Sequence, residues 1–64
     1  TEEERVQFIL EGFPNIGPVS AKKLIKKFGS LKTIMNASGD ELEVILGKRA
    51  KEFRELIDKM IEIK

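Results

Sequence analysis

The chain has 64 residues, of which 41% are hydrophobic and 36% charged, and its formal net charge is only +1. A chain this short makes at most one domain, and it buries only about 60% of the surface its unfolded form exposes. With no cysteine and no histidine, it has neither a disulfide framework nor the usual zinc ligands, so it must rely on helix packing, a partner subunit or the rest of a longer protein.

Thr1-x-x-Glu4 is a capping box that opens a first helix. Val6, Ile9, Leu10 and then Phe13 are expected on its inner side, and Gly12 and Pro14 stop it. The second helix is predicted from Pro18 to Phe28. Ala21, Leu24, Ile25 and Phe28 form one apolar stripe at about 100° per residue, with Lys22, Lys23, Lys26 and Lys27 opposite. Gly29 suits a C-terminal cap, and Ser30 caps a short third helix bearing Leu31, Ile34 and Met35. Ser38-x-x-Glu41 is a second capping box, starting a fourth helix with Leu42 and Ile45 inward. Gly47 breaks it, and a long final helix from Lys48 carries Ala50, Phe53, Ile57, Met60 and Ile61. No segment alternates with period two over strand length, so the fold is all-α with five short helices.

Charge is unevenly placed along these elements. Residues 18–32 hold Lys22, Lys23, Lys26, Lys27 and Lys32 and no acid, whereas residues 33–47 hold Asp40, Glu41 and Glu43 and no base that precedes Lys48. The basic stretch follows directly on the turn FPNIGP. There Asn15 and Gly17, two residues that tolerate positive φ, bracket the apolar anchor Ile16. Pro18 takes the first helical position, where its missing N–H needs no partner. Such a start leaves main-chain N–H groups facing outward with ammonium groups close behind, a setting suited to phosphate. IGPVSAKKL and LGKRAKEF repeat one pattern: an apolar residue and a glycine ahead of an alanine, with a large apolar residue three positions after that alanine. The small alanine lets two helices of a tight hairpin approach closely. Two hairpin units, about 2–28 and 39–63, joined by a connector at about 30–36, give one domain with pseudo-twofold symmetry.

PNIGPVSAKKL resembles the helix-hairpin-helix motif, and ILGKRAKEF is a degenerate second copy. The duplicated layout is similar to the tandem helix-hairpin-helix domain of DNA repair and recombination proteins. The run FGSLKTIMNAS ahead of the weaker hairpin resembles the XPF-type structure-specific endonucleases, above all the archaeal Hef group, in which a helicase is fused to such a nuclease. A composition rich in Lys, Glu and Ile, with a single glutamine, suits a thermophile. The resemblance implies a module that binds duplex or forked and branched DNA and pairs with a second copy of itself.

The expected DNA-binding residues are Asn15, Ile16, Gly17, Pro18, Val19, Ser20, Lys22, Lys23 and Lys26 in the first hairpin, and Gly47, Lys48, Arg49 and Lys51 in the second. Amides from Ile16 to Ser20 would hold one or two phosphates, Ser20 adding a hydroxyl. Nothing offers a forked arginine or paired amide for base edges, and no Trp or Tyr is present for stacking, so binding should ignore sequence and depend strongly on salt. The resembled family usually has glycine where Asn15 stands, and asparagine reaches the left-handed region at modest cost. The matching position in the second unit is Ile45, where positive φ would be strained, and the glycine-to-alanine spacing is one residue shorter. The two hairpins therefore cannot share one backbone geometry.

Phe8 lies opposite the inner stripe of the first helix, and the final helix has more apolar residues than one small bundle covers. A homodimer surface is expected at Phe8, Phe53, Leu56, Ile57, Met60 and Ile63. No His, Cys or Tyr is available for acid–base or nucleophilic work, and Asp40, Glu41 and Glu43 suit a capped first turn. The expectation is a non-enzymatic piece of a larger nuclease, with no metal, no cofactor and no small-molecule substrate. The rival reading is a self-association module whose lysines serve solubility. No apolar run nears the roughly 20 residues that span a bilayer and no signal-peptide pattern appears, so a cytoplasmic location is expected.

Overall fold

Side-chain caps set most of the helix starts. The Thr1 hydroxyl accepts from the Glu4 N–H, Ser30 from Thr33 and Ser38 from Glu41, each satisfying a donor that the helix itself cannot pair. In the computed structural model, which describes the backbone of residues 1–62 and the side chains of residues 1–59, five helices follow. They are α1 Glu2–Glu11, α2 Pro18–Phe28, α3 Leu31–Met35, α4 Gly39–Leu46 and α5 Arg49–Glu62. No strand occurs among the described residues, and none of these helices is long and apolar enough to cross a membrane. Both capping boxes close as read, with Glu4 and Glu41 reaching back to Thr1 and Ser38. Hydrogen bonds from the Ser38 main chain and then its hydroxyl hold the Glu41 carboxyl below its ordinary range, and Lys27 adds a smaller pull in the same direction. Gly29 ends α2 at φ 86°, its N–H donating to Ile25 O at 2.8 Å.

α1 packs on α2 and α4 on α5, while α2 also meets α3 and α4. Leu10, Leu24, Ile34 and Leu42, one from each of the first four helices, are fully buried at the centre. α5 closes the core with Ala50, Phe53 and Ile57. The small Ala21 and Ala50 are buried at the same place in each hairpin, which is the close approach their size permits. No polar or charged residue is buried among the described residues.

Several expectations change. Ile9 is not inward but 47% exposed, whereas Leu46 joins Leu42 in the core. The last helix begins at Arg49, leaving Lys48 in the turn. Phe53 and Ile57 are core residues, 2% and 3% exposed, so they cannot form the dimer surface: α5 turns their stripe into its own bundle, where the Phe53 and Phe13 rings pack at 4.7 Å, tilted by 51°. Leu56 is half-buried. The side chains of Met60 and Ile61 fall outside those described, and Ile63 lies outside the described residues.

Candidate nucleic-acid interface

The first hairpin turn runs through residues 12–17. Asn15 takes the left-handed conformation at φ 64°, which brings Ile16 inward to 5% exposure. The Ile16 N–H then donates to Phe13 O at 3.3 Å, so this amide is not available as expected. Gly17 does not use the left-handed region. Its φ of −95° and ψ of −177° are ordinary extended backbone, and a Cβ there would meet nothing within 4 Å. Gly17 is the N-cap of α2 but supplies no side-chain cap. Its carbonyl accepts from Ala21 N–H at 3.0 Å, while the N–H groups of Gly17, Val19 and Ser20 have no acceptor among the described residues. Pro18 has none to give. Three donors are therefore left without acceptors at a helix start, where Val19 is 67% exposed. Backbone N–H groups and the helix dipole both favour an anion at such a start.

Lys22, Lys23, Lys26 and Lys27 are all exposed on the outer side of α2. Their fields are not equivalent. Lys22 and Lys26 share a groove with Glu3, Glu4 and Gln7 of α1, and Lys27 sits 5.9 Å over the Phe28 ring on the side of Glu41. None of the four forms an ion pair among the described residues, where the only pairs are Thr1–Glu4 and Arg54–Asp58.

The second hairpin is built differently. Gly47 adopts φ 59° and ψ −131°, and its N–H donates to Glu43 O at 2.8 Å. The one-residue difference in spacing appears as a tighter loop: Ala50 N–H reaches Gly47 O three residues back, where Ala21 reaches Gly17 O four back. Ile45 stays inside α4 and avoids positive φ. Lys48 and Lys51 are exposed. Arg49 departs from the expectation of a phosphate contact. Its Nε donates to Leu46 O at 3.1 Å and its Nη1 to Asn15 O at 2.9 Å, so the guanidinium braces the first hairpin's turn. Glu52, one turn further along α5, accepts from Asn15 Nδ2 at 3.3 Å. This junction joins residues 34 and 37 positions apart, and no local pattern announces it.

A lysine-backed, uncapped helix start in a duplicated five-helix bundle marks a small helix-hairpin-helix domain. Over 44 residues, 69% of its length, the chain is 50% identical to the 3'-flap repair endonuclease Xpf of Saccharolobus solfataricus, covering 19% of that protein. It is 44% identical over 46 residues to UvrABC system protein C of Thermotoga maritima, a match spanning 72% of the chain and 8% of the relative. With the UvrABC system protein C of Chlamydia caviae the identity is 44% over 55 residues, 86% of the chain and 9% of the relative. The chain thus spans less than a fifth of the length of these relatives. No family model matches, nor does any solved structure. The likeness to Xpf, together with the five-helix fold, fits the tandem helix-hairpin-helix domain of XPF-type nucleases.

Proposed function

We propose that this chain binds DNA, duplex or forked and branched, through backbone phosphates, and so helps a structure-specific nuclease engage its substrate. The observation that carries the reading is the start of α2: three N–H groups without acceptors among the described residues, at Gly17, Val19 and Ser20, in a chain similar to a segment of a 3'-flap repair endonuclease. Ser20, Lys22, Lys23 and Lys26 complete the first contact, with Asn15 and Pro18 shaping it. Gly47, Lys48 and Lys51 offer a weaker second one by position and charge alone. Amides and ammonium groups read charge rather than base edges, so affinity is independent of sequence and falls steeply with salt. The parent protein is a nuclease with a helicase part of the archaeal Hef type, acting beside the chromosome in the cytoplasm, and this piece contributes no catalytic group.

Pairing with a second copy is supported by surface apolarity at Phe8 and Leu56, two of the expected residues, and not at the buried Phe53 and Ile57. Phe8 is 81% exposed, and Ile9, Gly12, Phe13, Pro14 and Leu56 line an apolar groove on the same side of α1 as Ile9. Labelled fork, duplex and single-stranded DNA titrated at low and moderate salt tests the DNA reading. Wild type should bind fork and duplex, and both Gly17→Val and the double change Lys22→Glu, Lys23→Glu should bind weakly. Unaltered binding by both variants would leave only the self-association reading.

A further inference from the structure

We infer that the second hairpin serves the first as its scaffold: Arg49 and Glu52 of α5 are positioning residues that hold the Asn15 turn in the shape that presents the Gly17, Val19 and Ser20 amides. The inference rests on the phosphate-binding reading of that turn and assigns Arg49 a role other than a phosphate contact. Three contacts converge there from one turn of α5. Arg49 grips the Asn15 carbonyl and, with its Nε, the Leu46 carbonyl at the end of α4. Glu52 takes the Asn15 side-chain amide, and Phe53 packs against Phe13. Asn15 is the one non-glycine residue with positive φ among the described residues, a conformation that asparagine visits but does not prefer. Fixing both its carbonyl and its side chain selects that conformation, and the peptide that follows sets the direction of the next three donors. A fork of two nitrogens spans the carbonyls of Leu46 and Asn15; a lysine ammonium, a single point at the end of a flexible stem, does not reproduce that span.

The test compares Arg49→Lys and Arg49→Ala with wild type in three measurements. A positioning role predicts that both variants bind duplex or fork DNA about tenfold more weakly, the range for losing a charge-assisted hydrogen bond. It predicts that the slope of log affinity against log salt stays at the wild-type value in Arg49→Ala, since no phosphate loses its cation. In the DNA-free protein, amide resonances from Asn15 to Ser20 should shift in both variants while those of Lys22 to Phe28 stay in place and the melting transition persists. Wild-type binding by Arg49→Lys, a slope reduced by about 0.9 in Arg49→Ala, or unmoved Asn15–Ser20 amides would each overturn the inference. Should wild type bind no DNA at all, the functional reading falls on its own, and the amide shifts still decide whether Arg49 sets the turn.

Discussion

Gly17 and Gly47 stand at matching points of the two hairpins, yet the fold requires only one of them to be glycine. Gly47 sits at φ 59°, ψ −131°, a region that costs a residue with a Cβ on the order of 1–3 kcal/mol. Gly17 has negative φ and open space where a Cβ would go, so its lack of a side chain matters only to something that approaches from outside. Gly47→Ala should therefore lower stability in urea unfolding by about 2 kcal/mol. Gly17→Ala should cost about 1 kcal/mol or less, the loss of a preferred N-cap residue, while weakening DNA binding far more than that stability change explains. The reverse ranking of the two stabilities would place the positive-φ turn at Gly17 rather than at Gly47. Equal DNA binding by Gly17→Ala and wild type would remove the close approach of phosphate to this backbone.

At the scale of elements, α5 organises the irregular parts of the chain. Arg49 fixes the first hairpin's turn, and Arg54 does the same for the end of the connector. Arg54 Nη1 donates to Met35 O at 2.8 Å and to Ala37 O at 2.9 Å, while Nη2 meets Asp58 at 2.9 Å. Carbonyls at the end of a helix are unpaired by the helix itself and attract cations, and Met35 closes α3, whose five residues are too few to hold together alone. Arg54→Met keeps much of the buried stem and removes the donors. It should lose about 2 kcal/mol in urea unfolding, the range for charge-assisted hydrogen bonds whose acceptors are left without partners. A loss below about 0.5 kcal/mol, as for an exposed pair, would show that solvent replaces the guanidinium. These roles also mark how far the sequence could be read. Pro18 and Gly29 delimit α2 as read, and Thr1, Ser30 and Ser38 cap where expected, because both signals act within four residues. Arg49 and Arg54 find their acceptors 34 and 17–19 residues away, through the tertiary fold. Phe53 and Ile57 turn inward for a related reason: helical spacing gives the width of an apolar stripe but not how much of it the remaining helices cover.

At the scale of the whole molecule, α1 carries apolar groups that the core does not cover among the described residues. Phe8 is 81% and Ile9 47% exposed on α1, and Ile9, Gly12, Phe13, Pro14 and Leu56 line an apolar groove at the first hairpin's turn. The amides at the start of α2 belong to the same hairpin as that groove. Two copies joined through their α1 faces would carry two uncapped α2 starts on one particle, a layout that suits a branch point where two duplex arms diverge. In this arrangement the dimer governs preference among DNA shapes, and each copy keeps its own phosphate contacts. Phe8→Asp removes apolar area and places like charges across a twofold contact, while Phe8 contributes nothing to the buried core. Sedimentation over rising concentration should show wild type as a dimer and Phe8→Asp as a monomer with unchanged helicity. The monomeric variant should retain duplex binding with its steep salt dependence and lose its preference for forks over duplex. A wild type that stays monomeric at high concentration would end the α1 pairing. A Phe8→Asp monomer that still prefers forks would place recognition of the branch within a single copy of the bundle.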